Sequence, residues 1–192
     1  MTAPQPPELT DPLRQPQRFV TTHDKAGKAI YSPAHSTPIQ FWQVGPPARP
    51  AGFGLGYATS SFPVHLTNDE DLADFAAINE QRQQSGLVKR GGTVLRYVDY
   101  SPECESPMHR TVSCDYGIVL EGEMECLLDS GESRILKAGD VAVQRGTAHQ
   151  WINRSKGWAR MLYVLLDATP VEVNGAELGE DLGGMIGVPQ SE

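Results

Sequence analysis

Two of the five histidines of this chain lie in one stretch of about 46 residues, Met108–Asn153. These are His109 and His149, and the residues around them alternate between apolar and polar types between well-formed turn signals. The unperturbed pKa of imidazole is about 6.5, so a histidine can exchange protons near neutral pH or bind a metal ion through a ring nitrogen. Acid–base catalysis and metal binding are therefore the two kinds of chemistry that this stretch suggests.

The chain from Thr93 onward has the pattern of a β protein. Residues 93–100 alternate with a period of two, which predicts a strand that leads into the histidine-containing stretch. Further strands are predicted between turns rich in glycine and aspartate, at residues 108–112, 116–120, 124–128, 133–136, 141–144, 149–152 and 159–166, with a last short strand and turn at 171–175. Short strands without intervening helices indicate an antiparallel sandwich or barrel.

The chain before residue 93 is predicted to form an arm on this β body. Its predicted elements are a hairpin of residues 18–22 and 29–31, an aromatic strand over 38–44, a long loop over 45–61, a helix over about 68–83 and a polar linker over 81–92. Thr67 and Glu70 have the order of a capping box at the start of the helix.

Length and charge limit the domain organisation and the partners. We expect one domain in four parts: a flexible tail (1–16), an arm with a loop and a short helix (17–92), a barrel (93–180) and a C-terminal tail (181–192). The net charge of -8 makes a nucleic acid an unexpected partner. The sequence has no secretory pattern and no apolar run of the ~20 residues that a membrane span needs, which predicts a cytoplasmic protein without a membrane partner.

The stretch around the two histidines resembles the metal-site half of the small single-domain cupins of the cupin_2 type. The family's motifs are usually written G-x5-H-x-H-x3/4-E-x6-G and G-x5-P-x-G-x2-H-x3-N. In this chain His109 stands at the first histidine of the first motif, Thr111 at the second histidine and Asp115 at the glutamate. The second motif is matched from Gly146 through His149 to Asn153, with Gln144 at the proline position.

The resemblance covers roughly residues 90–168 and implies an all-β cupin barrel, or jelly roll, with N-terminal arm strands and one short helix. It also implies a homodimer formed by exchange of N-terminal strands. The implied metal ligands are His109, Asp115 and His149, a set that suits non-haem Fe(II) and could hold Zn, Mn or Ni. Thr111 is a poor metal ligand, so a metal-free site in which the two histidines act directly as acid and base is an equal alternative.

Residues close to the motifs are candidates for contacting a substrate. Gln144 and Arg145 precede His149 and offer an amide and a guanidinium that can orient a substrate oxygen, so Arg145 joins the two histidines as a candidate catalytic residue. The candidate substrate-binding residues are Gln144, Thr111, Arg96, Tyr116 and Trp151.

The sequence pattern HRT-x-S-x-DYG-x-VL-x-GE, followed by VQRGT-x-H-x-W-x-N, resembles that of a subgroup of small cupins found in bacteria and in fungal secondary-metabolite gene sets. We therefore expect an enzyme that acts on a small, oxygen-rich aromatic or polyketide-like acid, as a lyase that decarboxylates, dehydrates or closes a ring. One alternative is an Fe(II)-dependent dioxygenase that uses the same three ligands. Another is a cupin that binds a small molecule without converting it.

Overall fold

Two antiparallel sheets form the body of the protein in a computed structural model, which describes residues 12–191. Most of the predicted N-terminal tail, residues 1–11, lies outside the described residues. The larger sheet has the strand order β3-β4-β5-β11-β6-β9 and the smaller one β10-β7-β8, while β1-β2 and β12-β13 are separate hairpins. The elements are β1 Thr21–His23, β2 Ala29–Tyr31, β3 Phe41–Val44, β4 Ala51–Thr59, α1 Glu70–Glu80, β5 Thr93–Tyr100, β6 Ser113–Glu121, β7 Glu123–Leu128, β8 Ser133–Lys137, β9 Val141–Arg145, β10 His149–Ile152, β11 Ala159–Asp167, β12 Val171–Val173 and β13 Ala176–Leu178. The predicted all-β jelly-roll class is confirmed.

Side-chain alternation decides which face of each strand is buried. In β5 the side chains of Val94 and Val98 point into the core, and β11 adds Met161 from the next strand of the sheet. The smaller sheet contributes Met124 and Trp151 to the same apolar cluster. Because full burial of such a side chain stabilises the folded state by roughly 1.5–3 kcal/mol, this alternation holds the two sheets face to face.

The loop predicted over residues 45–61 was wrong, because most of this segment forms β4 in the interior of the larger sheet. Its repeated glycines indicate a loop in the sequence, but in the sheet they make room for neighbouring side chains. A Cβ atom on Gly54 would lie 2.9 Å from the ring of Phe41, and one on Gly56 would lie 2.9 Å from the side chain of Leu95. Glycine is used here because the strands and their side chains approach closely.

The predicted boundary at residue 93 consequently divides one sheet. β3 and β4 belong to the same sheet as the strands that follow residue 93. The linker predicted over residues 81–92 also contributes to the core, because Leu87 and Val88 are buried there. The arm and the barrel therefore share one hydrophobic core.

The end of the chain, predicted as a tail over residues 181–192, packs onto the body as far as the structure describes it. Leu182 is buried, and the backbone N–H of Gly45 donates to the carbonyl of Ile186 at 3.0 Å. The hydroxyl of Ser191 accepts a hydrogen bond of 3.0 Å from the backbone N–H of Val88, which lies in the predicted linker. This segment is held by the turn between β3 and β4 and by the linker.

The strand predicted over residues 108–112 is replaced by two isolated β-bridges. His109 pairs with His149 at the edge of the smaller sheet, and Arg110 pairs with Asp181. Because consecutive residues pair with two different segments, a regular ladder does not extend from either pair. The bridge at His109 nevertheless places the two motif histidines next to each other.

The predicted helix over residues 68–83 is shorter in the structure, where α1 is flanked by 3-10 turns. The predicted capping box is absent, since the N-cap residue is Asp69 with φ 57° and no side-chain cap hydrogen bond is made. The Asp69 carboxylate instead accepts a hydrogen bond from the hydroxyl of Thr22. Burial of Leu72 and Phe75 on one side of α1 holds the helix on the sheet.

The hairpin predicted at residues 18–31 is confirmed by the pairing of β1 with β2. It leaves Phe19 and Tyr31 largely exposed, with ring centroids 6.1 Å apart. The predicted homodimer stays a prediction. Within residues 12–191, no helix has the length and apolar character needed to cross a membrane.

The contact between Gly92 and β4 provides a test of the position of that strand. A Cβ atom on Gly92 would lie 1.8 Å from the backbone oxygen of Thr59, so Gly92→Ala must displace backbone. We expect this substitution to lower the free energy of unfolding by roughly 1–3 kcal/mol, as measured by urea denaturation. Gly179→Ala is the matched control because no atom lies within 4 Å of its Cβ position. Wild-type stability of Gly92→Ala would contradict the placement of β4.

Candidate functional site

A cavity of about 340 Å³ lies between the two sheets, a size within the range of small-ligand sites. The larger sheet forms one wall, and β10 of the smaller sheet lies opposite. The turn between β3 and β4 and residues 184–186 border the cavity. Its polar and aromatic lining residues include Phe53, Arg96, Tyr100, Asp115 and Tyr163 on the larger sheet, Trp151 and His149 on β10, and His109.

His109 and His149 form a pair of adjacent imidazoles in this cavity. Their backbones exchange two N–H to carbonyl hydrogen bonds of 2.9 Å, and their ring centroids are 4.4 Å apart. The Nδ1 atom of His109 bonds the carbonyl of Pro107 at 2.9 Å, and that of His149 bonds the carbonyl of Thr147 at 2.9 Å. Because a carbonyl only accepts, each Nδ1 carries the proton and each Nε2 keeps its lone pair.

Burial keeps both imidazoles neutral. It lowers the pKa of His109 below the ordinary value and lowers that of His149 to about 4, with the neighbouring His109 as a further cause for His149. A protonated ring in this apolar place would lose its hydration and repel its neighbour. At neutral pH the pair therefore offers two proton acceptors.

Asp115 is a buried carboxylate on the wall formed by the larger sheet. It is 4% exposed, and burial raises its pKa from 3.8 to about 6, although hydrogen bonds from Ser113 and Thr111 act in the opposite direction. The Thr111 hydroxyl donates to Oδ2 at 3.2 Å. Oδ1 has no hydrogen-bond partner among residues 12–191. Thr111, which stands where the family motif has its second histidine, therefore orients the Asp115 carboxylate.

Arg96 is a buried guanidinium on the same wall. It is 2% exposed, and Nη2 donates to the carbonyl of Gly86 at 2.7 Å. The guanidinium carbon lies 4.9 Å from the ring centroid of Phe53 and 5.9 Å from that of Trp42. Burial lowers its pKa to about 10, so it remains a cation at neutral pH.

The predicted metal ligands do not form a three-ligand centre in this structure. In the described part of the chain, no group of three or more histidine, cysteine, aspartate or glutamate side chains is close enough to hold a metal ion. His109 and His149 are adjacent on the edge of the smaller sheet, whereas Asp115 lies on the larger sheet and bonds Thr111. The two adjacent imidazoles by themselves provide an acid–base pair, and the metal triad stays a prediction.

Five of the residues predicted from the sequence line the cavity, namely His109, His149, Asp115, Arg96 and Trp151. The other four do not line it. Gln144 has its amide engaged, because Nε2 contacts the sulfur of Cys126 and Oε1 accepts from Thr147. Arg145 is exposed at a separate surface pocket, and Tyr116 is 40% exposed on the outer face of β6. Strand alternation turns these two side chains away from the cavity.

Two tyrosines and a phenylalanine of the cavity wall were not among the predicted site residues. The hydroxyls of Tyr100 and Tyr163 lie 3.1 Å apart, and burial raises the pKa of both, so both stay protonated. Tyr100 is the last residue of the strand predicted over residues 93–100, but it was not predicted as a site residue. Phe53 was missed because it lies in β4, which the glycines had marked as a loop.

Known proteins with similar sequences support the resemblance. Residues 96–165 match the family described as Cupin domain. Phomopsin biosynthesis cluster protein D of Diaporthe leptostromiformis is 48% identical over 87% of this chain and 86% of its own length. Oryzines biosynthesis cluster protein J of Aspergillus oryzae is 46% identical over 88% and 92%, and the cupin-domain-containing oxidoreductase fogC of Aspergillus ruber is 40% identical over 86% and 79%. The predicted resemblance to cupins of fungal secondary-metabolite gene sets is confirmed.

The buried carboxylate of Asp115 should make stability depend on pH. Its pKa is raised to about 6 in the folded protein, so the ionised form is disfavoured there and the cost develops as pH rises from about 4 to about 6. A shift of this size corresponds to about 3 kcal/mol at neutral pH. Asp115→Asn, which stays neutral, should therefore raise the free energy of unfolding at pH 7.5 by up to that amount, and the gain should vanish near pH 4.

Urea denaturation at several pH values between these limits measures the effect. Asp129→Asn is the matched control, because Asp129 is exposed in the turn after β7 and should show no such dependence. A gain for Asp115→Asn that is equal at both pH limits would show that the carboxylate is not the cause.

Proposed function

This chain belongs to the cupin family, and we propose that it is an enzyme that moves protons on a small, oxygen-rich acid, as a lyase does. The observation that carries the proposal is the pair of buried, neutral imidazoles at the cavity, each with the proton on Nδ1 and a lone pair on Nε2. The reaction class is decarboxylation, dehydration or a related ring closure. The names of similar proteins refer to biosynthesis clusters, which favours an aromatic or polyketide-like substrate.

The histidines supply the proton acceptor and donor. A neutral Nε2 takes a proton from an acidic C–H or O–H group of the substrate, and the imidazolium then returns it to the developing anion or to the leaving group. General acid–base catalysis of this kind contributes roughly 10²–10⁴ in rate. Because the rings are 4.4 Å apart, a proton can be taken and returned at neighbouring positions.

Asp115 and the two tyrosines have supporting roles in this scheme. Above about pH 6 the Asp115 carboxylate is ionised, and it is a further proton acceptor at the same cavity. The protonated hydroxyls of Tyr100 and Tyr163 can donate hydrogen bonds to an enolate or alkoxide oxygen. The apolar remainder of the cavity keeps water away and strengthens these interactions.

Oxidoreduction is the second candidate, because three similar proteins that are 40% identical to this chain are named cupin-domain-containing oxidoreductases. Such a reaction needs an electron acceptor such as molecular oxygen. Oxygen uptake therefore separates it from a redox-neutral lyase reaction. An Fe(II)-dependent dioxygenase would in addition contain about one iron per chain.

Replacing either imidazole tests the proposal. We expect His109→Ala and His149→Ala each to lower kcat/KM by about 10²–10⁴, because the proton acceptor is lost. His23→Ala is the control, since His23 is exposed in β1 and lies away from the cavity. Turnover of a panel of hydroxybenzoic and 3-oxo acids is followed by NMR in deuterated buffer, with an oxygen electrode and metal analysis of protein purified without a histidine tag.

The outcomes separate the candidates. Unchanged activity in both histidine variants would contradict the proposal that the two imidazoles act as acid and base. Oxygen uptake that depends on bound iron and is lost in either variant would support the dioxygenase. Binding without turnover or oxygen uptake across the panel would support a cupin that only holds its ligand.

The pH profile should report Asp115. We expect kcat/KM to fall as pH drops below about 6, because the Asp115 carboxylate, a proton acceptor at the same cavity, becomes protonated there. The pKa of His149 is about 4, so protonation of that ring does not explain a transition near pH 6. The transition should disappear in Asp115→Asn, and its persistence in that variant would assign it to another group.

A further inference from the structure

We propose that Arg96 binds the carboxylate of the substrate and holds it through the reaction, so that Arg96 decides which molecules the cavity accepts. The proposal rests on the proposed function in one respect, since it takes this cavity as the active site. It adds the charge of the ligand, its orientation and the part of the molecule that survives the reaction.

The hydrogen bonding of Arg96 is incomplete. Nη2 donates to the Gly86 carbonyl at 2.7 Å, but Nε and Nη1 are buried and have no acceptor among residues 12–191. The same side chain lines the cavity that contains the two histidines. Buried N–H groups without acceptors are costly, so a ligand that supplies oxygen atoms here gains more than it would at an exposed arginine.

The charge of Arg96 also lacks a carboxylate partner in the described part of the chain. Burial is the cause of its lowered pKa, with no acidic side chain acting in the opposite direction. The rings of Phe53 and Trp42 offer their faces to the cation, and this contact supplies no hydrogen-bond acceptor. Buried Arg160, by contrast, donates to both carboxylate oxygens of Asp99. A carboxylate from a ligand would give Arg96 the kind of partner that Arg160 already has.

The positions of the two walls define how such an acid lies. Arg96 on β5 pairs with Tyr163 on β11, and the Tyr163 ring is 5.7 Å from Trp151 on the opposite sheet. The Trp151 ring is in turn 5.8 Å from that of His149. An acid with its carboxylate at Arg96 therefore spans the cavity and presents another part of the molecule to the imidazoles.

This orientation favours reactions that leave the carboxylate in place. Loss of carbon dioxide from the bound carboxylate would remove the charge that Arg96 binds and leave the guanidinium unpaired. In a dehydration, a C–H proton passes to Nε2, a C=C bond forms, and the C–O bond to a hydroxyl breaks. That hydroxyl leaves as water with the returned proton, so the carboxylate and the oxidation level of the substrate are unchanged.

Binding measured without turnover tests the role of Arg96. The probes are benzoate and salicylate, compared by calorimetry with the neutral amides benzamide and salicylamide. We expect at least one acid to bind the wild-type protein at least tenfold more tightly than its amide. Arg96→Met should lose this preference, whereas Arg96→Lys should keep part of it, because the charge remains without the planar fork. Arg145→Met is the matched control and should bind as wild type does, since Arg145 is exposed outside the cavity.

Three results would overturn the proposal. They are equal binding of acids and amides to the wild-type protein, no binding of any probe, and retention of the preference in Arg96→Met. Without ligand, Arg96→Met should melt at or above the wild-type temperature, because it removes an unpaired buried charge. If Arg96→Met does not fold, the acid preference measured for Arg96→Lys tests the proposal instead.

The experiment also separates this proposal from the acid–base proposal. His149→Ala should retain the preference for acids although it loses activity. If the wild-type protein shows no preference for acids but the histidine variants are inactive, the role of Arg96 is refuted and the acid–base proposal stands. With a substrate that carries carbon-13 in the bound carboxylate, the product should retain the label. Release of labelled carbon dioxide would refute the inference that the carboxylate is retained.

Discussion

The site depends on the backbone pairing of His109 with His149. Residues that exchange both hydrogen bonds in an antiparallel pair lie directly opposite each other, and their side chains leave the same face of the sheet. The 4.4 Å separation of the rings follows from this arrangement. Each Nδ1 bonds the carbonyl two residues before its own histidine, so the backbone also sets the tautomer of both rings. The ring spacing and the tautomers are thus set by main-chain geometry before any substrate binds.

The edge that carries this pair is tied to the larger sheet by a buried amide. Asn153, which follows β10, donates from Nδ2 to the carbonyls of Tyr100, Ser101 and Gly157 at 2.8–3.1 Å. Its Oδ1 accepts from the backbone and hydroxyl of Ser155. A fully bonded amide at 0% exposure connects the end of β5 to the turn before β11. Asn153 therefore connects the end of the strand that carries Arg96 to the end of the strand that carries His149.

The buried charged residues differ in whether a partner compensates their charge. Asp99 and Arg160 form a bidentate ion pair, in which each charge compensates the other. Asp115 and Arg96 are buried as deeply, but the carboxylate oxygen Oδ1 and two guanidinium nitrogens have no partner in the part of the chain that the structure describes. Such incomplete compensation lowers stability, and it is found where charge is needed for binding or catalysis. The location of these two residues at one cavity, with the imidazole pair, distinguishes the site from the rest of the core.

The sequence by itself determined the β class, most of the strands from Thr93 onward and the two motif histidines, because alternation and turn residues are local properties of the chain. It also named Arg96 and Trp151 as candidate substrate-binding residues, and both line the cavity. Only the tertiary structure decided that the glycine-rich segment 51–59 is a buried strand, since the reason for its glycines is the side chains of other strands. Only it showed that Thr111 orients Asp115 and that Tyr163 and Phe53 line the cavity. Those roles depend on which residues meet across strands, and pairing between distant segments is not written in the local pattern of either one.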